Sequence, residues 1–266
     1  AARLADPLLA LRELRGLVVI DEVHHAPNLF NTVRVLADDT AVKRRFLLLG
    51  SASPELLRQG AESLGCPLDD GQLDRLLAYR DLIVRWNQVY NLTAVRDPAQ
   101  MLTQHLLDSL AIVTPLRAHT GAQPARLLDV GSGGGLPGVV LAIAEPELQV
   151  VCVDAVAKKA TFIRQVAAEL GLPNLQARHS RVEQLREPGY DVITSRAFAS
   201  LVDFTALTRH LLAPQGCWLA MKGPQVEAEL AELASADPAV QVLSREPLEV
   251  PGLGAQRCLV WLRPAA

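Results

Sequence analysis

The sequence predicts an α/β protein whose larger part is an open, doubly wound sheet, preceded by a helical segment and by a separate short fragment. Three observations carry this. After Pro124 short apolar strands alternate with helical patterns, a glycine-dense turn follows the first of those strands, and the first sixty residues follow a different pattern from the rest.

The strands of the larger part are expected at Arg126 to Val130, Gln149 to Asp154, Asn174 to Arg178 and Tyr190 to Ser195. Further strands are expected from Cys217 to Lys222, around Val240 to Leu243, and from Cys258 to Leu262. Helices should begin near Pro137, Lys158 and Leu201. From Asp69 to Pro115 the pattern is helical, with Leu73, Leu76, Leu77, Leu82, Ile83 and Trp86 at three and four spacing, which predicts a helical cap over residues 66–118 ahead of a sheet domain over 124–266. The first piece, residues 1–60, reads strand, helix, strand: Leu17 to Asp21, an amphipathic stretch after Pro27, then Phe46 to Ser53. Its join to the rest is expected near Gly60 to Gly65. Two strands and a helix cannot close a sheet of their own, so poor packing is expected there.

Composition narrows the class. Apolar runs such as LLDV, VVLAIA and LVVI fall well short of the roughly 20 residues that span a bilayer, and the start of the chain lacks the layout of a signal peptide, so a soluble cytoplasmic protein is expected. The 26 basic against 29 acidic residues argue against holding nucleic acid by bulk charge. Any RNA contact must come from local groups, with Arg75, Arg80, Arg85 and Arg96, or Lys158, Lys159 and Arg164, as options against the reading of a solvated helix face. Cys66, Cys152, Cys217 and Cys258 lie far apart with no CxxC pair, which disfavours zinc, and Cys152 and Cys217 read as small buried hydrophobes.

The main chemical signal is RLLDVGSGGGLPG, from Arg126 to Gly138: a strand ending in Asp129, a glycine turn, and a helix start marked by Pro137. Glycines there allow positive φ and close approach of a ligand to the backbone. Asp154, at the end of the next strand, stands where a carboxylate can hold ribose hydroxyls. A phosphate-binding loop would need a lysine between Gly131 and Gly138, and a dinucleotide loop would place its last glycine at Leu136. Asp129, Gly131, Gly133 and Gly135 instead follow the acidic-x-Gly-x-Gly-x-Gly pattern of class I methyltransferases, which have a Rossmann-like sheet and use S-adenosylmethionine.

Beyond the loop, WNQVYNLTAVRD (Trp86 to Asp97), HLLDSL (His105 to Leu110), HSRVEQL (His179 to Leu185), SRAFASL (Ser195 to Leu201) and the pair Lys222, Gly223 occur in the order and spacing of the RsmG (GidB) family. The chain from about residue 66 onward resembles that family, whose members methylate N7 of a guanine in the decoding-region loop of 16S ribosomal RNA. The resemblance implies S-adenosylmethionine as cofactor, 16S ribosomal RNA or the small ribosomal subunit as partner, and a monomer with no membrane association. It implies that Gly131 and Leu136 line the amino acid and sulfonium region, that Asp154 holds the ribose, that Val182 and Glu183 flank the adenine, and that Arg196 sits at the pocket mouth. The loop reads GSGGG where relatives often carry another small residue or proline. A non-catalytic nucleotide or RNA-binding module is the alternative, for which a degraded glycine loop would be expected.

Several residues keep two readings. Arg196 is either a donor to guanine O6, the catalytic positioning role, or an ion-pair partner of Asp129 or Glu183. Trp86 and Tyr90 are core-facing rather than base-stacking, Asn91 and Thr93 read as helix-ending residues as readily as substrate contacts, and His105 with Asp108 reads as a hydrogen-bonded structural pair rather than a base.

In the first piece, LVVIDEVHHAP places Asp21 and Glu22 at a strand end as in a Walker B motif, and GSASPELLRQ resembles the sensor region of bacterial AAA-type ATPases. A helicase reading of the same residues fits the flanks less well. No GxxxxGK[ST] loop precedes Asp21, so a non-functional P-loop ATPase fragment, unable to hold a nucleoside triphosphate by itself, is expected.

Overall fold

The structure is a computed structural model, and it describes residues 11–12, 14–20, 29–38, 44–48, 53–121, 123–196, 198 and 200–265. Asp21 and Glu22, and residues 49–52 of the sensor-like stretch, lie outside the described residues. The chain divides into two compact units, residues 1–52 and 53–266.

In the first unit β1 (Gly16–Ile20) and β2 (Arg44–Leu48) pair in parallel, joined through α1 (Leu29–Asp38). Leu11, Val18, Val33 and Leu36, with Phe46 against them, form its small core. The Arg44 guanidinium donates to the Leu11 carbonyl at 3.4 Å and the Arg12 carbonyl at 3.1 Å. The apolar side chains of Leu17, Val19 and Val35 stay exposed, because two strands and one helix bury only one face.

The second unit starts one helix earlier than the Gly60 to Gly65 stretch where the sequence pattern changes. Helix α2 (Ser53–Ser63) contributes Leu57 and Ala61, both fully buried, to the large core of this unit. Helix α3 (Asp70–Tyr90) starts in a capping box: Asp69 accepts from the Gln72 N–H at 2.8 Å while the Gln72 side chain accepts from the Asp69 N–H at 3.0 Å. It stops at Tyr90, short of the helical run to Pro115 that the periodicity predicts, because Asn91 takes a left-handed conformation with φ 49°. The chain then forms α4 (Pro98–Met101), a π-helical stretch (Leu102–Leu107), α5 (Asp108–Leu110) and α6 (Val113–Thr120).

The sheet follows, with β3 (Arg126–Val130), α7 (Gly138–Ala144), β4 (Gln149–Asp154), α8 (Ala157–Glu169), β5 (Leu175–His179), β6 (Tyr190–Ser195), α9 (Leu201–Thr208), β7 (Leu212–Lys222), α10 (Val226–Ala236), β8 (Val240–Leu248) and β9 (Arg257–Pro264). The strand order is β5-β4-β3-β6-β7-β9-β8; the first five strands run parallel and β9 lies antiparallel between β7 and β8. Strand β7 begins at Leu212 and β8 runs on to Leu248, both longer than their apolar runs suggest, since their outer ends are exposed and carry no hydrophobic signal.

Successive strand residues serve opposite faces, as the pleat requires. Leu127, Val150 and Cys152 pack with the cap, α7 and α8, whereas Leu128, Val151 and Val153 pack with Leu201, Phe204 and Leu233 of α9 and α10. With both faces covered, the strands read as continuous apolar runs. Strand β3 is central, with β4 on one side and β6 on the other, so the chain reverses direction across the sheet at β3 and opens a crevice at the carboxyl ends of these strands. Among the described residues, no helix is long and apolar enough to cross a membrane.

Candidate functional site

The glycines of the loop after β3 divide into two kinds. Gly131 and Gly133 have φ of 66° and 58°, a region L side chains rarely adopt, and a Cβ at either would meet no side chain. Their bare backbone faces open space. At Gly135 a Cβ would stand 2.4 Å from Val139 Cγ2, and at Gly138 2.4 Å from Cys152 Sγ and 2.8 Å from Asp129 Oδ2. These two glycines let α7 press onto the sheet. Tyr79, fully buried on α3, donates its hydroxyl to the Gly134 carbonyl at 2.6 Å and ties the loop to the cap.

Two carboxylates hold the loop from below. Asp154 accepts from the Gly133 N–H at 2.9 Å through Oδ2 and from the Val156 N–H at 2.8 Å through Oδ1. Asp129 is fully buried; its Oδ2 accepts from the Gly138 N–H at 2.9 Å and its Oδ1 has no hydrogen-bond partner. Burial pushes the Asp129 carboxyl up to about 7, against the opposing pull of the Gly138 N–H and the Arg196 charge. Burial likewise keeps the neighbouring Cys152 thiol protonated.

Two cavities open at the strand ends. The first, about 180 Å³, is lined by Gly131, Gly133, Leu136, Thr93, Lys159 and Arg196, among others. Of the site residues read from the sequence, it brings together Gly131, Gly133, Leu136 and Arg196. Asp129 and Gly135 lie beneath the loop, Asp154 stands behind Gly133, and none of these three lines the cavity. Val182 and Glu183 sit in a short 3-10 turn (Val182–Gln184); Val182 is buried in the core of the opposite sheet face and Glu183 lies 3.8 Å from Arg181.

The second cavity, about 330 Å³, shares Arg196 as a wall and adds Gln104, His105, Asp108, Lys222 and Arg257. A larger one, about 650 Å³, opens beside the β8–β9 hairpin and adjoins the second at Gly223 and Arg257. It lies away from the glycine loop.

Arg196 pairs with neither Asp129 nor Glu183. Its Nη1 donates to Asp108 Oδ2 at 3.2 Å and to the Gln104 carbonyl at 2.9 Å. The other oxygen of Asp108 accepts from Arg257 Nε at 3.0 Å. Asp108 meets His105 through its backbone N–H, which donates to the His105 carbonyl, and not through carboxylate and ring. The π-helical stretch turns that ring toward Thr93, with Nε2 2.9 Å from Thr93 Oγ1. Burial lowers the His105 pKa, which leaves a neutral ring. Trp86 packs on Phe162 with ring centroids 5.3 Å apart, as a core residue should, but Tyr90 at the helix end is exposed. Arg257 and Tyr79 were not legible as site residues, whereas Thr93, read as a helix-ending residue or a substrate contact, lines the first cavity. Arg257 opens the last strand with no motif around it, and Tyr79 merely continues the helical stripe of leucines.

A mostly parallel doubly wound sheet, with a glycine loop at the end of its central strand and a carboxylate at the end of the neighbouring one, defines the class I methyltransferase fold. A crystal structure of Burkholderia thailandensis 1,6-didemethyltoxoflavin-N1-methyltransferase, with bound 1,6-didemethyltoxoflavin and S-adenosylhomocysteine, shares the fold at a TM-score of 0.50 and 18% identity, over 75% of this chain and 92% of that one. Residues 72–260 match the model of the family "rRNA small subunit methyltransferase G", and residues 2–66 match that of an AAA domain. Ribosomal RNA small subunit methyltransferase G of Leptothrix cholodnii is 63% identical over 79% of this chain and 95% of its own length, and that of Methylibium petroleiphilum 60% identical over 77% and 92%. The chain belongs to the rRNA small subunit methyltransferase G family.

Proposed function

We propose that the chain transfers a methyl group from S-adenosylmethionine to N7 of a guanine in 16S ribosomal RNA, acting as a cytoplasmic monomer on the RNA or on the small subunit. The observation that carries this is the meeting of two cavities at Arg196, one floored by the bare backbone of Gly131 and Gly133, the other rich in hydrogen-bond donors. The first fits the cofactor in kind: it offers close main-chain contact and apolar walls at Ile83, Leu92 and Leu136. When bound, S-adenosylmethionine supplies an electrophilic methyl group.

Guanine N7 carries a lone pair and no proton, so the chain needs no general base. The neutral, hydrogen-bonded His105 agrees with that requirement. What the residues supply is alignment, which can contribute roughly 7–11 kcal/mol of a barrier. Gly131 and Leu136 would fix the amino acid and sulfonium end. Asp154 would hold the ribose: each of its oxygens accepts one N–H and retains a lone pair for a hydroxyl. Val182 and Glu183 would flank the adenine. Arg196 would steady the acceptor at the junction of the cavities. The deep groove of A-form RNA hides the N7 edge, so the target base must sit in a loop or distorted segment.

Isothermal titration of the full chain with S-adenosylmethionine, NAD and ATP, followed by labelled methyl transfer to 16S ribosomal RNA from a strain lacking the modification, tests this reading. Saturable binding of S-adenosylmethionine alone, with N7-methylguanosine as the product by mass spectrometry, is expected. Binding of NAD or ATP in its place, or a methylated nucleoside other than N7-methylguanosine, would refute it.

A further inference from the structure

The second cavity has a composition that selects among bases. We infer that it receives the acceptor guanine and that Arg257 is the residue that distinguishes guanine from adenine, an inference that rests on the methyltransferase reading above. The N7 edge of guanine presents two acceptors, N7 and O6, whereas adenine presents the N7 acceptor beside an N6 amino donor. A site that offers only donors along that edge fits guanine and leaves the adenine amino group facing a cation.

The charged groups around the cavity meet that condition, with Gln104, His105, Met221 and Gly223 completing the lining. Among the described residues that line it, Asp108 is the only carboxylate; it is 1% exposed, and its oxygens accept from Arg196 at 3.2 Å and from Arg257 at 3.0 Å. Buried behind two guanidinium groups, it is not presented to a base and acts as a positioning residue for them. Lys222 is engaged elsewhere, with its Nζ 2.6 Å from Glu229 and 3.2 Å from the Phe198 carbonyl. Arg196 stands at the wall shared with the first cavity, the side on which N7 must lie. Arg257 is on the remaining wall, with Nε on Asp108 and Nη1 at 3.4 Å from the Gln256 carbonyl, which leaves further N–H groups of its fork for O6.

The test compares the full chain with Arg257→Gln and Arg257→Lys. Three quantities are read: S-adenosylmethionine affinity by calorimetry, kcat/KM for methyl transfer to 16S ribosomal RNA bearing guanine at the mapped target, and the same with adenine there. Arg257→Gln should bind cofactor as wild type does, lose about 10- to 100-fold on the guanine RNA, and lose most of the preference for guanine, since a glutamine amide can accept from N6. Arg257→Lys keeps the charge opposite Asp108, and with it the fold. It should still lose several-fold on the guanine RNA, because an ammonium lacks the planar fork. Wild-type kcat/KM and wild-type base preference in both folded variants would overturn the inference, as would an equal loss of cofactor affinity and transfer. A wild-type chain that binds S-adenosylmethionine and methylates no RNA would instead take down the functional reading, and this inference with it.

Discussion

Replacing Gly138 by alanine should destabilise the second unit, although Gly→Ala inside a helix ordinarily gains about 1 kcal/mol. The added Cβ would lie 2.4 Å from Cys152 Sγ, about an ångström inside ordinary contact distance, and 2.8 Å from Asp129 Oδ2, also inside it. Neither neighbour can retreat. Both are fully buried, and they face each other across the β3–β4 pair in the middle of the sheet. Overpacking of this kind costs about 1–3 kcal/mol. A shift of α7 to relieve it would stretch the hydrogen bond from the Gly138 N–H to Asp129, at about another 1–3 kcal/mol. The clash outweighs the propensity gain by about 1–5 kcal/mol, which for a unit of this size lowers Tm by about 2–20 °C. Differential scanning calorimetry of Gly138→Ala, Cys152→Ala and the double variant closes a cycle. Removing the sulfur should restore at least half of the loss, with a coupling above about 1 kcal/mol. A single variant melting at or above wild type, or a double variant no better than the single, would show that this contact does not set the packing of α7.

Three further outcomes follow from residues already placed. The Asp129 carboxyl, raised from 3.8 to about 7, keeps a proton in the folded state that the unfolded chain releases between those values. Its contribution to stability is full below pH 4 and is lost as pH rises through 7, a change on the order of a few kcal/mol. Asp129→Asn keeps an acceptor for Gly138 and cannot ionise, so urea midpoints at pH 5 and pH 8 should converge, and an undiminished pH slope would contradict the assignment. Asp154→Ala should weaken S-adenosylmethionine binding by about 100-fold or more while the fold persists, since hydrogen bonds to a charged group are worth about 1.5–3 kcal/mol each; unchanged affinity by calorimetry sinks the ribose role. Removing residues 1–52 should leave the melting of the second unit intact, whereas removing residues 1–60 deletes the fully buried Leu57 and should cost at least about 2–5 kcal/mol. Equal melting temperatures for the two truncations would mean that α2 contributes nothing to the core.

The central strands were legible in the sequence because burial on both faces writes an uninterrupted apolar run. Strands β3, β4 and β6 begin and end where Arg126 to Val130, Gln149 to Asp154 and Tyr190 to Ser195 predict. The glycine loop was equally plain, since positive φ admits few residues other than glycine. Its glycines could not be sorted from spacing, however: only the positions of Val139 and Cys152 reveal that Gly135 and Gly138 serve packing while Gly131 and Gly133 stay open. The partner of Arg196 was hidden for a related reason. Asp108 lies 88 residues away on the short α5 behind the π-helical stretch, whereas the motifs placed Asp129 and Glu183 at the pocket. The edge of the second unit was obscured because α2 is amphipathic in its own right and lies within the stretch that matches an AAA domain.

The bridge at Asp108 bears on the order in which the molecule becomes competent. The bonds that shape the loop are local, with Gly138 and Asp129 nine residues apart and Gly133 and Asp154 21 apart. Asp108 instead reaches 88 residues to Arg196 and 149 to Arg257, and the latter belongs to β9, the last of the described strands. Short-range closures form early and long-range ones late. A chain emerging from synthesis therefore shapes the loop before Asp108 has joined Arg196 and Arg257, and the second cavity is completed only once β9 has docked.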